Sequence, residues 1–327
     1  MDFLLSIPLV STLFTPSWST YMNILFFWTV WTSLVFAHDA WLIHAAALLA
    51  SRAALWLLPS LIFLAFDTLL PSLALSIKFA GKASLPRRPL NLLVLALLNM
   101  LLVTAVEAAL SYGFVYATRR PLFRTTTTLP YPWEMFRHTI ALFTAREVLT
   151  YYAHRFFLHN SDWSPTLTRL HARWAHASPC SSLQLYADHP APLLILHLTP
   201  ILLPSLALRP HLLTYILFTA LCTLQSTITN SGYSVVPGIL LGGIARRTAV
   251  HYASRGSANY GAWGVLDWLH GTSKGDDVLE DVKDEADKHD VKERSAAKVG
   301  EGANLLQDGV DALKDGPAKK RSGRKRT

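Results

Sequence analysis

The sequence has little that would support a disulfide-linked or nucleotide-binding protein. Its only two cysteines, Cys180 and Cys222, make neither a disulfide framework nor a thiolate metal motif. No glycine-rich phosphate loop occurs, and no basic segment precedes the first apolar run, which therefore does not resemble a removable signal peptide. Charges are scarce in residues 1–273, which hold 9 of the 22 acidic and 17 of the 30 basic residues. We expect no nucleic-acid partner.

Long apolar stretches fill the part of the chain that is poor in charge. The composition is 51% hydrophobic, the mean hydropathy is +0.28, and residues 89–113 carry Glu107 as their only charge. A helix needs about 20 apolar residues to cross a hydrocarbon layer of about 30 Å. Other candidates lie at 22–37, 40–58, 59–79, 137–153, 191–208 and 211–235, where Pro59, Pro71, Pro200 and Pro204 can break or kink a helix. We predict an all-α, polytopic membrane helical bundle with four to six embedded helices.

The last part of the chain differs from this apolar body. Residues 274–327 hold 13 acidic and 13 basic residues and end in a basic cluster, KKRSGRKRT. A segment of this composition cannot bury enough apolar surface to order itself, so we predict a charged, disordered tail over 273–327, with a weak helix at 278–313. The basic end is suited to anionic lipid headgroups or to a targeting role.

Histidines are the residues on which the chemistry would depend. Imidazole binds iron, zinc and copper, so neutral rings from several helices can build a metal site without cysteine. The remaining histidines are interpreted as core or interfacial residues, with His138 and His197 as spare or outer candidates. Six of the thirteen histidines cluster in the second half of the chain, and we predict them as metal ligands: His154, His159, His171, His176, His189 and His251.

The spacing within the first two clusters requires a departure from regular helix. His154 and His159 are five residues apart, as are His171 and His176. Five residues turn a regular α-helix through about 140°, so the two rings of a pair would not share a face. We therefore predict a helix end or a distortion within each pair. Carboxylates such as Asp188 and Glu147 are candidates to complete a ligand set.

Five short motifs follow one another in the second half of the chain: HRFFLH at 154–159, LHARWAH at 170–176, YADHP at 186–190, NSGY at 230–233 and ANYGAWGVLDWLHGT at 258–272. In this order they resemble the fatty acid hydroxylase/sterol desaturase superfamily over roughly residues 135–272. The chain is similar to divergent fungal-type members with depleted histidine boxes. Non-ligand residues stand where the common boxes have histidine: Leu158, Trp174, Ala175, Asn230, Arg247 and Val250.

The resemblance implies the organisation and the chemistry. Residues 1–134 would be N-terminal membrane helices and residues 135–272 the hydroxylase-like domain, with a histidine-rich helical cap facing the cytosol, in the endoplasmic reticulum. The six histidines would bind iron, two ions by the family's usual pattern. The protein would use O2 to hydroxylate or desaturate a membrane lipid of the sterol, fatty acyl or sphingoid class. Electrons would come from NAD(P)H through a reductase or cytochrome b5.

Two other functions stay open at this level. The depleted histidine boxes favour a catalytically degenerate member that acts as a lipid-binding or scaffold membrane protein. The ionisable residues Asp67 and Glu107 within apolar stretches would suit a transporter or channel, because charges in hydrocarbon are expensive and often functional. No repeated half accompanies them, which makes this third function the weakest.

Overall fold

The computed structural model describes residues 18–79, 88–275, 280 and 283. The chain divides into two compact units, residues 1–277 and residues 278–327, and the helical bundle belongs to the first. The predicted charged tail and its weak helix lie almost wholly outside the described residues.

The described part of the chain is all-helical, which confirms the predicted fold class. Over the described ranges, β pairing is limited to two isolated bridges, Lys78 with Tyr233 and Arg124 with His211. Short 3-10 turns occur at Ala175–Ala177 and Ser182–Leu185, and π-helical segments at Ala53–Leu57, Ala153–Leu158 and Leu194–Leu198. The α-helices, in chain order, are α1 (Trp18–Ala37), α2 (Ala40–Arg52), α3 (Leu58–Leu69), α4 (Pro71–Ser76), α5 (Pro89–Thr118), α6 (Pro132–Tyr152), α7 (Pro165–Trp174), α8 (Pro190–Leu193), α9 (Thr199–Leu208), α10 (Leu212–Thr229), α11 (Ile239–Ala253) and α12 (Val265–Leu269).

Four helices are long and apolar enough to span a membrane: Ala40–Leu69, Pro89–Thr118, Pro190–Leu208 and Leu212–Thr229. At most half of each apolar window is buried inside the bundle, so the remaining apolar surface faces the surroundings, as a lipid-embedded helix requires. The chain is an integral membrane protein.

The number of spans lies within the predicted four to six, but the helices differ from the candidate stretches in two parts of the chain. Stretches 40–58 and 59–79 were treated as separate candidates, yet they form one continuous helix that ends at Leu69. Stretch 137–153 does form a helix, α6, which packs against α9 and α10. However, α6 is not among the four spans, because it carries Glu134, Arg137, Arg146 and Glu147.

Pro59 does not break its helix because a π-helical turn precedes it. The backbone N–H of Leu58 donates to the carbonyl of Ala53, five residues back. The same arrangement precedes Pro200, where Thr199 donates to Leu194. A proline ring clashes with the carbonyl four residues before it in regular helix, and the wider π turn relieves that clash without ending the helix.

The connections of the bundle lie at two ends. At one end, the backbone of Arg124 pairs with Pro210 and Leu212, so the segment after α5 meets the turn before α10. At the other end lie residues 153–189, between α6 and α8, and residues 230–275, after α10. We call the second the histidine end, because His154 to His189 and His251 lie in it.

Polar side chains inside the bundle fix the helices against one another. Arg52 of α2 forms a buried ion pair with Glu107 of α5, with Nη2 2.7 Å from Oε1, and its Nη1 donates to Thr104 at 2.7 Å. Asn99, also on α5, donates from Nδ2 to the carbonyls of Tyr186 and Asp188, both at 2.7 Å. The second interaction ties the wall of the bundle directly to the histidine end.

Candidate metal centre

A π-helical segment brings His154 and His159 together. Residues Ala153–Leu158 continue α6 with π geometry, whose hydrogen bonds join residues five apart instead of four. The distortion therefore brings the two rings, which a regular helix would hold apart, to the same side of the helix. Their Nε2 atoms lie 3.2 Å from each other, and the ring centroids are 4.8 Å apart. The distortion predicted from the spacing is present.

The second histidine pair meets at a helix end. Helix α7 ends at Trp174, and residues Ala175–Ala177 continue as a 3-10 turn, which carries His176. The rings of His171 and His176 have centroids 5.1 Å apart. The spacing of five is again resolved by a departure from α-helical geometry, as predicted.

His251, near the end of α11, joins the two pairs into one cluster. Its ring centroid is 4.7 Å from that of His154 and 5.0 Å from those of His159 and His176. One nitrogen from each of His154, His159, His171 and His251 lies within 4.8 Å of the others. We call His154, His159, His171, His176 and His251 the histidine cluster.

Outer acceptors fix the orientation of three of these rings. Nδ1 of His154 donates to the carbonyl of Tyr260 at 2.9 Å, and Nδ1 of His251 donates to the carbonyl of Ala258 at 2.7 Å. The Nδ1 of His171 lies 2.6 Å from Oδ2 of Asp188. A proton held on Nδ1 leaves the lone pair of Nε2 for a metal, which is the usual arrangement of ligating histidines.

Several ring nitrogens in the cluster are buried without any hydrogen-bond partner: Nε2 of His171, and both Nδ1 and Nε2 of His176. A buried polar atom without a partner is costly and needs an explanation. A bound cation would take one lone pair from each of these two rings, and the all-nitrogen donor set suits iron, zinc or copper. The residues present therefore fit a metal ion.

The protonation state of the cluster also suits metal binding. Burial, reinforced by the neighbouring imidazoles, lowers the pKa of His176 to about 2. Burial also lowers the pKa of His251 to about 4, and burial together with neighbouring rings depresses the pKa values of His154 and His159 well below the usual range. These four rings are therefore neutral at physiological pH, as ligands must be.

Gly256 makes room for one of the rings. It has a positive φ of 79°, and a Cβ built there would lie 2.5 Å from Nδ1 of His159 and closer still to Cε1. Its N–H donates to the carbonyl of His251 at 2.9 Å. The turn after α11 thus approaches the cluster so closely that only glycine fits.

His189, the sixth predicted ligand, is placed differently. Its ring packs against Trp174 with centroids 5.8 Å apart, and its Nδ1 accepts the N–H of Ala191 at 3.3 Å as the N-cap of α8. Its role as a ligand stays a prediction that draws no support from these contacts.

The two carboxylates considered as ligands hold other groups instead. Oδ2 of Asp188 contacts His171, and its Oδ1 accepts the N–H of His189 at 2.6 Å. Oε1 of Glu147 accepts the N–H of Trp263 at 2.8 Å. Asp267 accepts the N–H groups of Tyr260 and Gly261. These carboxylates position the histidines and the 258–272 segment.

Comparison with known proteins assigns the domain that carries this cluster. Residues 139–272 match the family model described as fatty acid hydroxylase. This match falls on the same part of the chain in which the five motifs resemble that family. The chain is similar to fatty acid hydroxylase domain-containing protein 2 of Homo sapiens, 27% identical over 179 residues, which are 54% of this chain and 49% of that protein. The protein of the same name from Macaca fascicularis has the same identity and coverage.

The chain spans about half the length of these curated relatives. No solved structure matches it. The whole histidine cluster lies within the matched fatty acid hydroxylase domain, as the resemblance of the motifs implied.

A cavity of about 150 Å³ connects the hydroxylase domain's histidines with the membrane helices. The histidine cluster contributes four of its five rings to the lining, all except His159. The opposite part of the lining comes from spanning helices, including Arg52, Val103 and Ile201. A small molecule in this cavity contacts the cluster without leaving the bundle.

Sequence reasoning missed the residues that orient the rings. Tyr260 and Ala258 act through backbone carbonyls, which no side-chain pattern reveals. Gly256 was only a weak indication of a close approach to the cluster, because it is a glycine five residues after His251. The pairing of Arg52 with Glu107 across 55 residues left no local signal.

Proposed function

We propose that the protein is an iron-dependent membrane oxidoreductase that hydroxylates or desaturates a lipid with O2. The observation that carries the proposal is the set of five converging imidazoles, two of which have buried nitrogens without a partner and four of which line a cavity shared with the membrane helices. Iron, when bound, supplies the redox chemistry that oxidises an unactivated C–H bond with O2, which no side chain can do alone.

The chain's own residues hold and orient the centre. His154, His171 and His251 would present Nε2, because their Nδ1 atoms are engaged by outer acceptors. The membrane helices exclude water and admit a hydrophobic substrate from the bilayer. The sterol, fatty acyl and sphingoid classes all meet that requirement.

The reaction requires electrons from a partner. Hydroxylation uses one O2, two electrons and two protons, and gives the alcohol and one water. Desaturation uses the same electrons and protons, removes two hydrogens from the lipid and gives two waters. We propose that NAD(P)H supplies the electrons through a reductase or cytochrome b5.

The number of metal ions is part of the proposal. The family resemblance predicts two irons. The histidine cluster supplies four imidazoles whose nitrogens lie within 4.8 Å of one another, with His176 beside them, which suits a single ion; a second ion would need ligands beyond this cluster. Elemental analysis separates the two numbers.

The orientation follows from the charges at the two ends. Residues 153–189 and 230–275, at the histidine end, contain seven Lys or Arg, whereas residues 119–131 and 209–211, at the other end, contain four. An excess of Lys and Arg favours the cytosolic side. We propose that the histidine end faces the cytosol, in the endoplasmic reticulum.

A catalytically degenerate, lipid-binding protein is the second candidate function. It is favoured by Leu158, Trp174 and Val250, which cannot bind a metal and stand where the family's histidine boxes have ligands. It is also favoured by the position of His189, whose ring contacts Trp174 and no ring of the histidine cluster among the described residues.

The test is the iron content of the purified, detergent-solubilised protein after anaerobic iron reconstitution. The variant His154→Ala/His171→Ala removes two rings of the cluster, and the matched control His38→Ala/His270→Ala removes two exposed imidazoles outside it. We expect iron in the wild type and the control and its loss in the cluster variant. If the wild type binds no iron, the oxidoreductase proposal is refuted and the degenerate lipid-binding function is favoured.

A further inference from the structure

Two arginines line the cavity next to the histidine cluster, and they differ in how their charges are compensated. Arg52 has a carboxylate partner in Glu107 at 2.7 Å and a hydroxyl partner in Thr104 at 2.7 Å. Its charge is neutralised by the bundle itself. Arg146, on α6, has no such carboxylate.

The contacts of Arg146 are few, and both are with neutral acceptors. Its Nη1 lies 3.5 Å from Oε1 of Gln225, and its Nη2 lies 3.2 Å from Oγ of Ser226. Hydrogen bonds from a guanidinium to a charged acceptor are normally about 2.7–2.9 Å, and a guanidinium has five N–H donors. Over the described residues, no acidic side chain forms an ion pair with Arg146. The carboxylate of the adjacent residue, Glu147, accepts a hydrogen bond from the N–H of Trp263 through Oε1 instead.

Arg146 is half-buried and its hydrogen-bond acceptors are neutral, which solvates a cation poorly in a helical bundle. An ionisable residue in such a place indicates a binding function for a group of opposite charge. Arg146, Gln225 and Ser226 all line the same cavity as His154 and His171. The guanidinium, which forms no ion pair with a carboxylate of the described residues, therefore faces the space in which a ligand of the histidine cluster would lie.

The size of the cavity limits which part of a lipid enters. A cavity of about 150 Å³ holds about six non-hydrogen atoms, the size of benzene. An anionic headgroup at Arg146 and the first few carbons attached to it fill this volume, and the rest of the chain stays outside.

We propose that Arg146 binds the anionic oxygens of a lipid headgroup, a carboxylate or a phosphate, so that the lipid enters the cavity head first. The carbon presented to the histidine cluster then lies within a few bonds of the headgroup. The inference that this carbon is the one oxidised rests on the proposed function. Binding of the headgroup to Arg146 needs no metal.

The test is equilibrium binding of radiolabelled dodecanoate to metal-free, detergent-solubilised protein, with dodecyl phosphate and dodecanol as competitors. We expect dodecanol to compete at least tenfold more weakly than unlabelled dodecanoate, because it lacks the charge that pairs with the guanidinium. Dodecyl phosphate reports whether phosphate or carboxylate fits better. Equal competition by dodecanol and dodecanoate would overturn the proposal without any variant.

Variants test the residue. Arg146→Gln should weaken dodecanoate binding at least tenfold and leave dodecanol binding unchanged, and Arg146→Lys should retain part of the preference for the anion. Arg137→Gln, on the same helix with an exposed side chain, is the matched control and should bind as the wild type does. Unchanged anion preference in Arg146→Gln would refute the assignment. The iron content measured above is independent, so failure of one proposal is distinguishable from failure of the other.

Discussion

Gly256→Ala should remove His159 from the metal centre without changing any ligand. A Cβ at this position lies 2.0 Å from Cε1 and 2.5 Å from Nδ1 of His159, whereas ordinary contacts begin at 3.4 Å, so the ring must move by roughly 1.4 Å. Metal–nitrogen bonds tolerate displacements of only about 0.2 Å. The moved ring is therefore lost as a ligand.

The expected loss of metal affinity is at least ten- to 100-fold, the range seen when only an outer partner of a ligand is removed. The backbone contributes a separate cost, because alanine at a φ of 79° costs about 1–2 kcal/mol. Gly271→Ala separates the two effects, since Gly271 has a φ of 65° and nothing within 4 Å of its added Cβ. Chelator competition measures the metal affinity, and thermal unfolding measures the stability. Equal affinity losses in both variants, or wild-type affinity in Gly256→Ala, would refute the reasoning.

Three further predictions concern the charged and polar residues around the site. Asp188→Asn should weaken metal binding about ten- to 100-fold in a chelator competition, because the amide has one acceptor oxygen where the carboxylate serves two donors, Nδ1 of His171 and the N–H of His189. His189→Ala should keep the wild-type metal content in elemental analysis, since its ring caps α8; a loss of metal would restore it as a ligand. Glu107→Gln should destabilise the protein by about 3 kcal/mol and lower its Tm, because Arg52 keeps a buried charge without its carboxylate; an unchanged Tm would contradict this.

The membrane helices could be predicted because their signal is summed over many residues. An apolar run such as residues 89–113 leaves few alternatives to a spanning helix. Pro59, which can break or kink a helix, does not end this one because a π turn at Ala53–Leu57 accommodates the ring. A one-residue change of hydrogen-bond register has no distinctive composition, so the sequence did not reveal it.

The candidate site was predictable as far as local spacing reaches. The spacing of His154 and His159 required a distortion, and the structure has one. The convergence of His251 on that pair, and the backbone acceptors at Ala258 and Tyr260, depend on how distant segments pack. The sequence did not indicate a binding role for Arg146, because that role is inferred from its place in the cavity lining and from the missing ion pair with a carboxylate, which only the packing reveals.

The pairing of Arg52 with Glu107 has a consequence for how the chain enters the membrane during synthesis. The two residues are separated by 55 positions, so the helix Ala40–Leu69 leaves the ribosome well before its partner exists. An arginine near the centre of an inserting helix costs about 2.5–3.5 kcal/mol, against about 0.3–0.6 kcal/mol gained for each leucine-like residue. We therefore expect the helix Ala40–Leu69 to insert at reduced efficiency, or to wait beside the translocon until Pro89–Thr118 emerges. In the second case the two helices enter the lipid together, with Arg52 and Glu107 as a neutral pair.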